Sequence, residues 1–309
     1  MIQIAIAGPG NISHRFLEGI KDVPDAAVTA FGTRNPNRVK AYAEAHHIAK
    51  VDSFSNLCND SSIAAFYIST PNHVHYELIK EALSSGKHVL CEKPITVTTA
   101  EYRELLGIAH AKQLVLMEAH KTLYTPVFQS ISNVLNEHRL GEICSASAGF
   151  CRNDPHAPDE WRLHTRGGGA LYDVGCYGLA ELFGLFGPDL QLKSHSQELV
   201  DGLNTGGMIS LEKNGIPMNV PYSFVKDGDC DLRIVGTLGT LTCHAFWKSD
   251  SYSILCDGQV MNYRFPFASE FTFEIQQFIN RINNRQWQDR FSEEISMRIL
   301  EILDSSLTI

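Results

Sequence analysis

What most restricts the fold of this chain is an alternation, kept up from Ile2 to about residue 122, of short apolar runs with segments of helical periodicity. Residues 2–7 (IQIAIA) form an apolar run that ends at Gly8, and RFLEGIKDV after it spaces its apolar residues as a helix does. The grammar then repeats. AAVTAFG (26–32) reads as a strand and NRVKAYAEAHH as a helix; AAFYIST (64–70) as a strand and VHYELIKEALSSG as a helix closed by Gly86. KHVLCEK reads as a strand, TTAEYRELLGIAHAKQ as a helix capped by Thr99, and LVLMEA (114–119) as a strand. Strands joined through helices need crossover connections, which are right-handed and lay down a parallel sheet covered on both faces. Residues 1–122 are therefore expected to form one doubly wound α/β domain.

After Leu123 the pattern changes. A helix is expected at 126–139, then the strand-like EICSASAGFC, a Gly-rich charged loop, and an apolar helical run near 170–186. GGMISLEKN, IPMNVPYSFV, DLRIVGTLGTLTCHAF and SYSILCDGQVMNYRF follow as alternating strands, joined by turn signals such as Lys-Asn-Gly and Asp-Gly that favour antiparallel hairpins. Two helices, about 270–284 and 293–305, close the chain. Residues 123–309 are expected to form a second, α+β domain with a mostly antiparallel sheet, and a length of 309 residues suits two domains.

Composition narrows the partners. Net charge is −9 with histidines neutral, and no Lys/Arg stripe is present, which argues against nucleic acid or an anionic membrane as the main partner. No window approaches the ~18 apolar residues of a membrane span. The eight cysteines show neither CxxC pairs nor zinc-ligand spacing, so they read as reduced thiols and no metal is expected. Met1 leads directly into a strand without the parts of a signal peptide, so a cytoplasmic location is expected. A small molecule is the expected ligand.

Four segments converge on the carboxyl edge of the expected parallel sheet, where open α/β sheets bind ligands. GPGNIS (8–13) matches a dinucleotide-binding turn, with Gly8 and Gly10 allowing the tight turn and close backbone approach, and Asn11 and Ile12 opening a helix whose amides can meet a pyrophosphate. Ser13 stands where the third glycine would be, a departure expected to affect helix packing more than phosphate binding. About 20 residues on, where NAD-binding chains place a carboxylate for the ribose, this chain has Gly32-Thr33-Arg34-Asn35 and then Arg38. Two guanidinium groups and no carboxylate favour a 2′-phosphate, hence NADP over NAD, with NAD still possible.

STPNHVH (69–75) supplies Thr70 and Asn72 as candidate cofactor contacts, and His75 either touches the ribose or starts the helix. Glu92-Lys93-Pro94 then ends the next strand. Pro94 fixes its own φ and keeps Lys93 out of the α region, so the ammonium stands on a stiff turn at the ligand edge. Glu92 and Lys93 are both candidate cofactor contacts, and Lys93 is also a candidate catalytic group.

In the second domain, WRLHTRGGGALYDVGCY (161–177) places Asp173 and Tyr177 four residues apart on one helical face. A carboxylate and a phenol one turn apart can hold a hydroxyl between them; for this pair alone, a buried tyrosine satisfied by an aspartate is the stronger reading. Arg152, Asp154, Trp161 and Arg162, on the loop entering the glycine run, are candidate substrate contacts.

In this order, GPGNIS, STPNHVH, CEKP and GGGALYDVGCY, with the C-terminal EFTFEIQQFINRI and SEEISMRILEIL, resemble the Gfo/Idh/MocA oxidoreductase family over essentially the whole chain. The resemblance implies an N-terminal Rossmann domain, a C-terminal domain built on a large open antiparallel sheet, and hydride transfer between NAD(P) and a hydroxyl carbon. It places Lys93 near the reacting oxygen. Many inositol dehydrogenase-like members carry histidine four residues after the motif's aspartate, whereas this chain has Tyr177, as in the glucose-fructose oxidoreductase and dihydrodiol dehydrogenase branch, where a tyrosine serves as acid/base and NADP is common. The expected reaction is oxidation or reduction of a sugar, polyol or trans-dihydrodiol by Lys93, Tyr177 and Asp173. A sensor of the same fold that binds nucleotide or sugar without catalysis is the alternative. A homodimer or homotetramer formed through the open sheet is expected.

Overall fold

Residues 1–119 spell out the expected alternation in β1 (Ile2–Ala7), α1 (Asn11–Gly19), β2 (Ala26–Gly32), α2 (Pro36–Ala45), β3 (Lys50–Asp52), α3 (Phe54–Cys58), β4 (Ala65–Ile68), α4 (His75–Ser84), β5 (His88–Cys91), α5 (Thr99–Lys112) and β6 (Leu116–Glu118). The structure is a computed structural model that describes residues 1–154, 161–163 and 166–305, with the side chains of Arg38 and Trp161 outside the described residues. All six strands pair in parallel in the order β3-β2-β1-β4-β5-β6. Strand order therefore reverses between β1 and β4, which opens a crevice at their carboxyl ends. Ile4, Ala5 and Ile6 of β1 and Phe66, Tyr67 and Ile68 of β4 are fully buried, as strands covered on both faces require.

Helix boundaries follow local chemistry. Thr98, one residue before the expected Thr99, caps α5: its side chain accepts from the Glu101 amide, and the Glu101 carboxylate accepts from the Thr98 amide. β3 and α3 were not expected. β3 is only Lys50-Val51-Asp52, too short and too polar to show a period, and it forms through its register with Ala30–Gly32 of β2.

The second unit is built on a mostly antiparallel plan. It contains α6 (Pro126–Asn136), β7 (Ile143–Ala148), β8 (Phe150–Cys151), α7 (Cys176–Phe186), β9 (Gln191–Val200), β10 (Leu203–Lys213), β11 (Ile216–Ser223), β12 (Asp231–Gly236), β13 (Thr240–His244), β14 (Ser251–Cys256) and β15 (Gln259–Arg264). Eight strands run in the order β15-β14-β13-β12-β7-β11-β10-β9, with β8 continuing the line of β7 against β11. The pairings are antiparallel except those of β11 with β7 and β8. The hairpin turns at Asn214-Gly215 and Asp257-Gly258 have positive φ at both residues, the conformation their sequence signals call for. Ile209, Leu211, Met218, Val220 and Tyr222 alternate onto the buried face, which α7 covers.

The chain closes with α8 (Phe271–Asn283) and α9 (Arg290–Ser305). Contacts divide the chain into Met1–Ala119 with Ala268–Glu293, and His120–Phe267 with Glu294–Ile309. Where the sequence reading made a single cut after residue 122, α8 packs with the first unit. Its Phe271, Ile275, Phe278 and Ile279 are buried, each contributing about 1.5–3 kcal/mol. Helix α1 approaches it closely enough that a Cβ at Gly19 would lie 2.7 Å from Phe271 Cβ, and Arg15 pairs with Glu270 at 2.6 Å.

α7 carries one buried carboxyl, Glu181, whose pKa is pushed up to about 8, chiefly by burial, with Thr122 acting weakly the other way. Its folded value lies above its unfolded one, so between pH 4.5 and about 8 the folded protein holds a proton that the unfolded chain has released. Stability is full below that window and falls as pH rises through it, by at most about 1.4 kcal/mol per pH unit. Chemical-denaturation midpoints measured from pH 5 to 8 should fall more steeply for the wild type than for Glu181→Gln, whose side chain does not ionise.

Candidate active site

In the first unit, the functional side chains hang from the carboxyl ends of neighbouring strands. β1 ends at Gly8, whose φ of +87° belongs to glycine. A Cβ there would lie 2.8 Å from Thr70 Cγ2 and 2.9 Å from the Ser69 carbonyl, so the loops after β1 and β4 touch only because Gly8 has no side chain. Gly10 differs: it is extended, and an added Cβ would meet protein only at 4.0 Å. Its missing side chain keeps clear the space in front of the α1 amides of Asn11 and Ile12, which precede the first intrahelical acceptor. Ser13 is fully buried. Its hydroxyl accepts from the Gly10 amide and donates to the Gly10 carbonyl, both at 2.7 Å, and lies 3.1 Å from Tyr42 OH of α2. The residue in place of a third glycine thus ties the turn to α2, while the Asn11 and Ile12 amides still point forward.

β2 ends in a turn in which the Thr33 amide donates to the Asp52 carbonyl and the Asn35 amide donates to Thr33 Oγ1, leaving Arg34 exposed. The side chain of Arg38, the second expected cation, lies outside the described residues. At the end of β4, Ser69 Oγ donates to the Gly8 carbonyl at 3.0 Å, and Asn72 is buried at the start of a 3₁₀ turn, Asn72–Val74. His75 starts α4 and is fully buried, with Nε2 2.8 Å from the Thr70 carbonyl and Nδ1 3.0 Å from the Pro94 carbonyl. The reading of His75 as a ribose contact gives way to the helix-start reading, because both ring nitrogens face protein carbonyls. Burial holds its pKa below the ordinary value, against the opposing pull of the two carbonyls.

Glu92 is likewise engaged inside the unit: its Oε1 accepts from Tyr67 OH at 2.5 Å, and the Tyr67 ring stacks on Phe16 at 3.9 Å. Burial first, and the Glu92 charge next, push the Tyr67 pKa well up, so the phenol keeps its proton and donates it to the carboxylate. Lys93 follows half-buried in the turn after β5, and the Lys93–Pro94 peptide is cis. This edge can hold a dinucleotide, with the open space at Gly10 and the α1 amides for the pyrophosphate and the turn of half-buried Thr33 and exposed Arg34 for the ribose.

In the second unit, Arg152 and Asp154 are exposed beyond β8, their amides bonded to the carbonyls of Ser223 and Phe224. Trp161 opens a 3₁₀ turn, Trp161–Leu163, its side chain outside the described residues. Arg162 Nε donates to Asp173 Oδ2 at 2.9 Å, and the Arg162 carbonyl accepts from the Gly169 amide at 2.8 Å. The expected substrate contact Arg162 and the expected catalytic Asp173 are thus an ion pair. The helical run begins not as α-helix but as a π turn, Leu171–Gly175, a feature often found at functional sites. From Gly167 to Phe183 every residue is buried except Asp173 and Tyr177, which are half-buried.

Sequence reading missed what lies beside Tyr177. The Phe150 ring is 5.6 Å from it, and Trp247 stacks on Phe150 at 3.8 Å and 13°. These aromatic residues are brought together by the sheet across nearly a hundred residues, and the one signal available was that Trp247 follows directly on Phe246 past the end of an apolar strand.

A sequence profile described as "Oxidoreductase family, NAD-binding Rossmann fold" matches residues 2–120, and the "GFO/IDH/MocA C-terminal domain" profile matches residues 128–242. The chain is 33% identical to a trans-1,2-dihydrobenzene-1,2-diol dehydrogenase of Xenopus laevis, covering 86% of this chain and 82% of that one. It is 28% identical to the scyllo-inositol 2-dehydrogenase (NADP(+)) of Bacillus subtilis, covering 99% and 96%. Among solved structures, the 3-ketoreductase KijD10 of Actinomadura kijaniata, in complex with NADP and TDP-benzene, superposes with a TM-score of 0.91 at 25% identity, covering 98% of this chain and 96% of that one. Among the described residues no helix is long and apolar enough to cross a membrane. With both halves matched by the family's profiles and a parallel sheet whose strand-end turns can take a dinucleotide, the chain belongs to the Gfo/Idh/MocA oxidoreductases and is an enzyme with an NAD(P)-binding Rossmann domain.

Proposed function

We propose that this enzyme is an NADP-preferring dehydrogenase or reductase acting on a hydroxyl carbon of a cyclic polyol, sugar or trans-dihydrodiol. The observation that carries the proposal is the turn after β2: Arg34 is exposed there, and the residues from Gly32 to Arg38 include no carboxylate. A ribose 2′-phosphate meets a guanidinium at that position, whereas a free 2′-hydroxyl finds no acceptor carboxylate. Relatives named for NADP use, or solved with NADP, support the same preference.

The nicotinamide, when bound, supplies the carbon that takes or gives the hydride. The chain's own residues manage the proton. In oxidation the phenolate oxygen of Tyr177 accepts the proton of the substrate hydroxyl; in reduction the phenol returns it. The ammonium of Lys93 donates a hydrogen bond to the reacting oxygen. Asp173, held by Arg162, orients this end of the helix and engages the substrate through the pair rather than as a lone base. The Phe150–Trp247 stack beside Tyr177 gives a flat apolar wall that suits the ring face of a cyclic substrate. On the outer face of the nine-stranded sheet, opposite the buried Ile209, Tyr252 and Ile254, the exposed Met208, Leu255 and Val260 suit association with a second copy.

Fluorescence titration should show NADPH binding at least about 10-fold more tightly than NADH, with Arg34→Ala weakening NADPH by about 10-fold or more and NADH little. Gly8→Ala should weaken both cofactors, because its Cβ would collide with Thr70 and Ser69. In steady-state assays on trans-dihydrodiols, inositols and aldoses, Lys93→Ala and Tyr177→Phe should each lower kcat by about 10²-fold or more, with cofactor affinity retained. Equal affinity for the two nicotinamide cofactors would remove the NADP reading, and turnover surviving both substitutions would remove the acid/base one.

A further inference from the structure

The turn that carries Lys93 is held in an unusual way. Pro94 and Ile95 are buried outside any helix or strand, so the polar groups of the peptide between them cannot find partners in a ladder. Two buried ionisable side chains supply those partners. The Pro94 carbonyl lies 3.0 Å from Nδ1 of the fully buried His75, and the Ile95 amide donates to Glu118 Oε1 at 2.8 Å. Glu118, the last residue of β6, is 5% exposed. One peptide unit, immediately after Lys93-Pro94, is therefore gripped at its oxygen from the start of α4 and at its hydrogen from the end of β6. The other ring nitrogen of His75 meets the Thr70 carbonyl at 2.8 Å, and Thr70 is the residue whose methyl group abuts Gly8. Held neutral by burial, the imidazole has one ring proton and donates to one of these two carbonyls; with the proton on Nδ1 it holds Pro94, and Nε2 then only lies close to the Thr70 carbonyl. On the other side of Lys93, Glu92 is fixed by Tyr67.

We propose that His75 and Glu118 are positioning residues for Lys93: by holding the two ends of the Pro94–Ile95 peptide, they set where its ammonium projects. The proposal rests on the reading of Lys93 as catalytic, since only then does its placement matter for turnover. Satisfying a buried peptide would by itself require no more than any two polar side chains. A displacement of about 1 Å at a reacting group lowers rates by up to about 10²-fold, so the grip matters far more for kcat than for binding.

The test needs a readout of Lys93 that requires no substrate. Site-resolved acetylation of the protein by an N-hydroxysuccinimide ester, followed by mass spectrometry across a pH series, gives the reactivity profile of Lys93, with exposed Lys193 as the internal control. His75→Ala and Glu118→Ala should each change the Lys93 rate by about 3-fold or more or displace its pH profile, while Lys193 is unmoved. Glu118→Gln keeps an acceptor for the Ile95 amide and should return the Lys93 profile to that of the wild type. With a substrate in hand, the alanine variants should lose about 10-fold to 100-fold in kcat with KM and NADPH affinity within about 3-fold, and Glu118→Gln should recover most of it. Profiles of Lys93 that superpose on the wild type in folded alanine variants would overturn the proposal, as would a Glu118→Gln protein as disturbed as Glu118→Ala. Should the alanine variants fail to fold, the wild type decides: an Ile95 amide that exchanges with solvent as fast as an unstructured peptide refutes the grip, and slow exchange kept in Glu118→Gln but lost in Glu118→Asp supports it. Unchanged turnover in Lys93→Ala would remove the catalytic reading, but the acetylation profiles would still report whether His75 and Glu118 position that side chain.

Discussion

The dinucleotide-binding unit depends on a contact between two loops that belong to opposite halves of a parallel sheet. Strand order reverses between β1 and β4, so the chain leaves the sheet in opposite directions from adjacent strand ends, and a crevice opens there for a simple topological reason. What keeps the crevice narrow is the absence of a side chain at Gly8, which lets Thr70 and Ser69 close against the turn. From that contact the rest of the edge is laid out in order: the α1 amides ahead of it, Arg34 one strand to one side, and Lys93 beyond β4 on the other. The site on this unit is thus made of strand ends, which the sheet holds rigidly, rather than of long loops.

The second unit uses different means. Its helix run is buried along its length except at Asp173 and Tyr177, so the two polar groups reach solvent from an otherwise apolar element. Arg162 neutralises the carboxylate, and the aromatic pair of Phe150 and Trp247 flanks the phenol. The phenol thus stands beside an apolar wall on an otherwise buried element.

How much of this was legible in the sequence depends on the range over which each feature is set. The β-α alternation, the Gly8 turn and the Asn-Gly and Asp-Gly hairpins are local, and reading the residues in place recovered them. The cap of α5 was readable too: Thr98 and Glu101 have capping-box spacing, and only the choice between adjacent threonines misplaced it. β3 escaped because three residues carry no period. The π turn at Leu171–Gly175 escaped because π and α turns share the same apolar pattern and differ in one hydrogen-bond step. The residue types of His75 and Glu92 hinted at ligand contact, whereas the groups beside them are the Thr70 and Pro94 carbonyls and Tyr67, the last two 19 and 25 residues away. Family resemblance singled out Lys93 and Tyr177 as candidates, but it carried no information on what surrounds them.

The packing of α8 against α1 makes the first unit discontinuous along the chain: Arg15 meets Glu270 and Thr272 Oγ1 donates to the Gly19 carbonyl, across 255 and 253 residues respectively. During synthesis the six-stranded sheet emerges from the ribosome long before the helix that covers the buried side of α1. Until then Gly19 and Arg15 lack their partners Phe271, Thr272 and Glu270, and docking α8 must overcome a loop-closure entropy of about 5 kcal/mol. The apolar side chains of α8 are enough to meet that cost only as a group, so the nascent Rossmann sheet waits, incompletely covered, while His120–Phe267 is translated.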